Sequence, residues 1–182
     1  MREAGSSASM ATPISANSSV TSGPIRCAPS SFPLSGATRS FANPYFSPAV
    51  FRDFVLPYHR RVAEKITLPW IMHTDGNVLP LIEDILSLGI AGLHPIEKGA
   101  MDIRAFKRDY GHRVCVLGNV DLNILGLGTP EDVDAEVKWL ISVAGPGGGY
   151  IVSAGNSLPN YVQPANVLAM AHAVNKYGAY PL

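Results

Sequence analysis

Four short apolar runs, Leu68 to Met72, Ile90 to Leu93, Val114 to Leu117 and Tyr150 to Val152, each close in a polar cluster, and stretches of helical spacing separate them and follow the last. None alternates apolar with polar, the pattern of parallel strands covered on both faces. The closing clusters are His73-Thr74-Asp75-Gly76-Asn77, His94-Pro95-Ile96-Glu97, Gly118-Asn119-Val120-Asp121 and Ser153-Ala154-Gly155-Asn156-Ser157. Successive strand-helix units imply right-handed crossovers and an α/β fold. A closed eight-stranded barrel takes about 250 residues and four units are half of one. The expected architecture is therefore a partial (β/α)8 TIM barrel or a small open sheet.

Helix signals separate the strands. Ser47-Pro48 starts a helix expected to run to about Lys65, with Phe51, Phe54, Val55, Tyr58 and Val62 as its buried stripe and a kink at Pro57. Asn77 can cap the next segment, where Val78, Leu81, Ile82 and Ile85 form a stripe that Gly89 ends. A helix over about Asp102 to Tyr110 turns Ile103, Phe106 and Tyr110 inward. Thr129-Pro130-Glu131-Asp132 opens another with a cap, a first-turn proline and two acids that suit the dipole, burying Val133, Val137, Leu140, Ile141 and Ala144. The last helix starts near Pro164, is expected to bury Val167, Leu168, Ala171 and Val174, and stops at Gly178.

In parallel α/β folds the working groups sit at the carboxyl ends of strands. Here those ends gather His73, Asp75, His94, Glu97, Asn119, Asp121 and Asn156. Residues two apart on a strand share a face, so His73 and Asp75 project together. They suit a metal pair, a base with its orienting carboxylate, or a polar strand end that satisfies nearby backbone. Catalytic roles are expected at His73, Asp75 and Asp121, the last of which also suits a cap for the turn after it. Substrate contacts are expected from Asn77, Glu97, Asn119 and Asn156, although Asn156 between Gly155 and Ser157 also fits a tight turn. His94, beside Pro95, reads as a packed turn residue. Gly147-Gly148-Gly149 precedes a strand, the wrong side for a phosphate cradle, and reads as a helix-to-strand connection. His59, His112 and His172 read as surface residues.

Residues 1–43 are rich in Ser, Ala, Thr and Pro, hold one acidic residue, Glu3, and show no apolar period, so a disordered leader is expected before a domain over 44–182. Its arginines and serines also suit an organelle transit peptide, without the amphipathic arginine face. Lys plus Arg (14) equals Asp plus Glu (14), and no basic stripe points to nucleic acid or an anionic membrane. No run approaches the roughly 18 to 20 apolar residues of a membrane span. Cys27 and Cys115 make no disulfide framework, and Cys115 reads as a core residue. A cytoplasmic body is expected.

Read together, Tyr45-Phe46-Ser47-Pro48, Phe54-Val55-Leu56-Pro57-Tyr58, His73-Thr74-Asp75-Gly76-Asn77, Gly118-Asn119-Val120-Asp121 and Gly149-Tyr150-Ile151-Val152 resemble the uroporphyrinogen decarboxylase superfamily. The resemblance covers roughly Asn43 to Gly178 and implies the C-terminal half of a single (β/α)8 barrel. It implies a lyase of porphyrin biosynthesis that needs no cofactor. The alternatives it carries are a methyltransferase working with a corrinoid protein or a methylated thiol, and a non-catalytic half-barrel fragment. A self-completing homodimer is a further expectation, because half a barrel exposes two strand edges. Two departures stand out. The zinc-dependent methyltransferases read His-x-Cys-Gly at the first motif and place a second Cys after the last strand, where this chain has Asp75 and Asn156. Zinc accepts carboxylate, so the resemblance leaves His73 and Asp75 as metal ligands in that branch. The decarboxylases end the last strand in Gly-His-Gly, again with Asn156 at the His position, and grip substrate through an N-terminal arginine-rich motif absent here.

Overall fold

The computed structural model describes residues 47–180. The leader expected over 1–43 lies outside the described residues. Strands β1 (Ile71–His73), β2 (Gly92–His94), β3 (Cys115–Leu117) and β4 (Tyr150–Ile151) form one four-stranded sheet in the order β1-β2-β3-β4. All three pairings are parallel. The fold is thus a partial (β/α) barrel wall, as the four non-alternating runs require.

Register explains the division of labour between faces. Met72 pairs with Leu93, Leu93 with Val116 and Val116 with Tyr150, and Met72, Leu93 and Val116 are fully buried. This row belongs to the core that the helices cover. The rows beside it, Ile71 with Gly92 and His73 with His94, use the opposite face because successive side chains alternate.

The helices follow their sequence signals at most ends. Ser47 caps α1 (Pro48–Val50) by accepting from the Val50 N–H, and Asp102 caps α4 (Ile103–Tyr110) by accepting from Arg104 and Ala105. After α2 (Leu56–Ala63) and α3 (Ile82–Leu86), the chain also forms α5 (Leu122–Leu127), where the sequence predicts only a turn. Thr129 and Asp132 make a reciprocal capping box at α6 (Pro130–Ala144), whose Val133, Val137, Leu140, Ile141 and Ala144 are all buried. The triple glycine at 147–149 turns between α6 and β4 with φ of 79°, 78° and 68°, values that side chains resist.

Two buried stripes differ from expectation. Between α1 and α2 the chain makes a π-turn over Phe51–Val55, closed by the Leu56 N–H on the Phe51 carbonyl. Pro57 has no N–H for the carbonyl four residues back, and the wider turn accommodates it. The buried spacing becomes five residues, Phe51 to Leu56, and Phe54, Tyr58 and Val62 are turned outward at 69%, 64% and 47% exposure. On α7 (Pro164–Tyr177) the inward face carries Asn166 and Ala173, not Leu168 and Ala171, which are exposed. Asn166 sets that phase. Its amide, 1% exposed, donates toward the carbonyls of Ile124, Leu125 and Gly128 at 3.3, 3.0 and 2.8 Å, adding to the Gly128 and Gln163 N–H groups that already bond the first two at the end of α5.

Asn166→Ala should therefore cost about 1–3 kcal/mol, the penalty for leaving a partly buried polar group, here the Gly128 carbonyl, without its partner. Chemical denaturation of both proteins reads it; an unchanged midpoint would mean that water replaces the amide.

Candidate active site

At the carboxyl rim, parallel pairing sets His73 directly beside His94. Their rings lie 4.9 Å apart between centroids, inclined by 37°, and His73 Nδ1 meets His94 Nδ1 at 2.7 Å. On its far side His94 Nε2 lies 2.9 Å from the Ala154 carbonyl oxygen, beyond β4. On the near side His73 Nε2 lies 3.5 Å from Asp75 Oδ1. The Asn156 amide donates to the same Asp75 oxygen at 3.1 Å. One chain of contacts thus runs from Asn156 through Asp75, His73 and His94 to Ala154, joining the ends of β1, β2 and β4. His73 is 15% exposed and Asp75 48%, so a ligand reaches this chain at the carboxylate end.

The neighbouring groups build the frame. Glu97 accepts from the Gly76 N–H just after Asp75, which ties the β2 loop to the β1 loop. Asn119 is buried at 3% exposure and donates to the Ile96 carbonyl. Tyr150 donates from its hydroxyl to the Gly118 carbonyl at 2.5 Å, and burial pushes that phenol up. The His94–Pro95 and Gly118–Asn119 peptide bonds are cis. Asn77 caps the segment after β1 by accepting from the Leu79 N–H at 3.0 Å.

The structure therefore brings His73, Asp75 and Asn156 together and sets Glu97 and Asn119 behind them as supports of the loops. Asp121 is committed elsewhere. Its Oδ1 accepts from the Asn123 N–H at 2.8 Å at the start of α5, and its Oδ2 lies 3.7 Å from Lys98 Nζ. His94, which the sequence places on the rim but reads as a packed turn residue, sits at the centre of the contact chain. Its signal was present: a second apolar run ending in the same residue type, in a fold whose parallel strands end on one rim. His59 is also corrected, being half-buried with its ring edge-on to Phe51 at 6.2 Å.

The donor set does not fit a zinc ion. His73 Nε2 and Asp75 Oδ1 supply two donors. At the third position Asn156 accepts the Ser157 N–H on its amide oxygen at 2.7 Å and turns its NH2, which has no lone pair to offer, toward Asp75. Among the described residues no group of three or more His, Cys, Asp or Glu is placed to hold a metal, and structural and catalytic zinc sites use three or four protein ligands.

A polar constellation on the carboxyl rim of a parallel, helix-covered sheet is the active-site arrangement of (β/α)-barrel enzymes. The family model described as Uroporphyrinogen decarboxylase (URO-D) matches residues 41–177, and the chain belongs to that family. It is 27% identical over 137 residues to the uroporphyrinogen decarboxylase of Shewanella halifaxensis (strain HAW-EB4), covering 71% of this chain and 37% of that relative. It is 30% identical over 138 residues to that of Azoarcus sp. (strain BH72), with the same coverage of 71% and 37%. Among solved structures, a methyltransferase from Methanosarcina mazei aligns with a TM-score of 0.65 at 26% identity, covering 76% of this chain and 40% of that one. The chain spans somewhat more than a third of the length of these relatives.

Burial lowers the affinity of His94 for protons, against the opposing pull of the Ala154 carbonyl, and lowers that of His59 as well. Both groups bind protons less readily folded than unfolded, so stability should fall as pH drops through about 6.5, the free histidine value. Thermal melts between pH 7.5 and 5.5 should show this, with a shallower decline in His94→Asn; an equal decline in both would remove His94 as a source.

Proposed function

We propose that this chain carries the acid side of a uroporphyrinogen decarboxylase-type active site, in a lyase of porphyrin biosynthesis, with His73 as proton donor. The observation that supports this most is the chain of contacts from Asp75 through His73 to His94. An imidazole flanked by a carboxylate can hold a proton as imidazolium and release it to substrate. In decarboxylation the carbon–carboxylate bond breaks, carbon dioxide leaves, and a protonated pyrrole ring holds the electron pair. The same carbon then takes the proton from His73 Nε2, and Asp75 balances the charge on the imidazolium beforehand. Asn156, in hydrogen-bond contact with Asp75, holds the carboxylate toward the imidazole.

The second reading is a methyltransferase of the same superfamily with a corrinoid protein as partner, favoured by the similarity to the Methanosarcina mazei methyltransferase. The two-donor set described above counts against the zinc-dependent form of it. Because β1 and β4 each have one neighbour in the described sheet, a homodimer that pairs these edges would complete the wall. A non-catalytic fragment is the remaining alternative.

His73→Gln should lower carbon dioxide release from uroporphyrinogen by about 100-fold or more, the usual worth of a positioned acid. Turnover unchanged in this variant, or no turnover by a folded wild-type dimer, would overturn the acid role. Zinc titration should show no stoichiometric binding, and one tightly bound ion per chain would favour methyl transfer. Light scattering on a sizing column should give twice the chain mass; a folded monomer would rule out edge pairing.

A further inference from the structure

The hydrogens along the contact chain can be counted. A carbonyl oxygen only accepts, so the contact of His94 Nε2 with the Ala154 carbonyl at 2.9 Å requires the hydrogen on His94 Nε2. Ser153 Oγ approaches the same carbonyl at 3.2 Å as a further donor, so this end of the chain accepts on both sides. The next contact, Nδ1 to Nδ1 at 2.7 Å, needs one hydrogen, from one ring or the other. At pH 8, above the ordinary histidine range, which burial lowers further for His94, the ring is neutral and carries one ring hydrogen. That hydrogen is already on Nε2, so His94 Nδ1 is a bare acceptor. The shared hydrogen therefore belongs to His73 Nδ1.

The consequence falls on the other side of His73. With its hydrogen on Nδ1, neutral His73 presents the lone pair of Nε2 toward Asp75 Oδ1, 3.5 Å away. Two acceptors then face each other beside the half-exposed carboxylate. The usual arrangement is different, with a carboxylate taking the imidazole hydrogen and so choosing the tautomer. Here the second imidazole makes that choice, and the carboxylate lies on the opposite side.

We propose that His94 is a positioning residue that fixes His73 in its Nδ1–H tautomer, leaving His73 Nε2 and Asp75 as a paired acceptor that selects a ligand group bearing an N–H or O–H donor. The chemical class follows from the pairing. A group that only accepts hydrogen bonds, such as an ionised carboxylate or an ether, meets repulsion there unless His73 is protonated. A group with a hydrogen to give, such as a ring N–H, a hydroxyl or an ammonium, bridges both atoms. The inference deepens the acid role proposed above and rests on it only for its effect on turnover.

The test reads the tautomer itself. Full chain labelled with 15N-histidine is examined by long-range proton–nitrogen correlation at pH 8, with His73→Gln used to assign the His73 ring. Wild-type His73 should show a pyrrole-type Nδ1 and a pyridine-type Nε2, and His94 the reverse. His94→Asn, which keeps an acceptor oxygen near the Nδ1 position, should preserve the His73 pattern. His94→Phe should exchange the two His73 nitrogen types, because the ring is then free to donate from Nε2 to Asp75. A wild-type His73 already carrying its hydrogen on Nε2 overturns the inference, as does an unchanged His73 pattern in folded His94→Phe. The wild-type and His94→Asn spectra decide the matter if the phenylalanine variant does not fold. An Nδ1–H His73 in a chain without porphyrinogen turnover sustains this inference while removing the decarboxylase reading, so the two fail separately.

Discussion

The parallel register of β1 with β2 is the constraint on which the site depends. Pairing Ile71 with Gly92 and Met72 with Leu93 places the last residues of both strands, His73 and His94, opposite each other. A slip of one residue would send one imidazole into the layer under the helices. Register is secured by burial, since Met72 and Leu93 have no exposed surface and would lose it on slipping. The apolar row thus fixes the polar one. Gly92 takes part in this, because a Cβ there would come within 2.7 Å of Leu117 Cδ1 and 3.1 Å of Ile71 Cγ1. A larger residue would have to displace the Leu117 and Ile71 side chains.

Loops then supply what strands cannot. The β1 and β2 loops are tied by Glu97 on the Gly76 N–H, and the β2 and β3 loops by Asn119 on the Ile96 carbonyl. The Lys98 ammonium reaches Glu136 on α6 at 2.7 Å, which anchors the β2 loop to the helical layer. Each polar group that a sequence reader would offer to a substrate at these positions is already engaged with backbone. The groups left facing the open side are those of His73, Asp75 and Asn156.

The alternation of strands and helices, the strand ends and the caps of α1 and α6 were legible in the sequence because they rest on local signals: short apolar runs, Ser-Pro, and Thr-Pro-Glu-Asp. The buried faces of the first and last helices were not. A π-turn shifts helical phase by one residue, and periodicity cannot show where the shift falls. On α7 the inward residue is an asparagine, which any hydrophobic count assigns to the surface, and only three carbonyls at the end of a distant helix explain its burial. His94 was obscured for a similar reason. Its partners are a ring 21 positions away and a carbonyl 60 positions away, so the linear pattern places it on the rim without showing what it touches there. Asp121 was ambiguous for a different reason, since a carboxylate after a strand serves equally as a helix cap, the contact it makes with the Asn123 N–H.

The contact between Asp75 and Asn156 has a mechanical meaning. These residues follow the first and last strands of the sheet, whose axes would stand about 14 Å apart in a flat sheet at the usual spacing of roughly 4.8 Å per strand. Yet their side chains meet at 3.1 Å. The sheet is an arc and this hydrogen bond is a chord drawn across it, with the His94–Ala154 bond a second, shorter chord from β2. Flattening the arc lengthens both chords before it disturbs any ladder bond between strands. The curvature of the wall and the placement of the carboxylate against the imidazole are therefore one variable, and whatever bends or braces the edges of this sheet also tunes its chemistry.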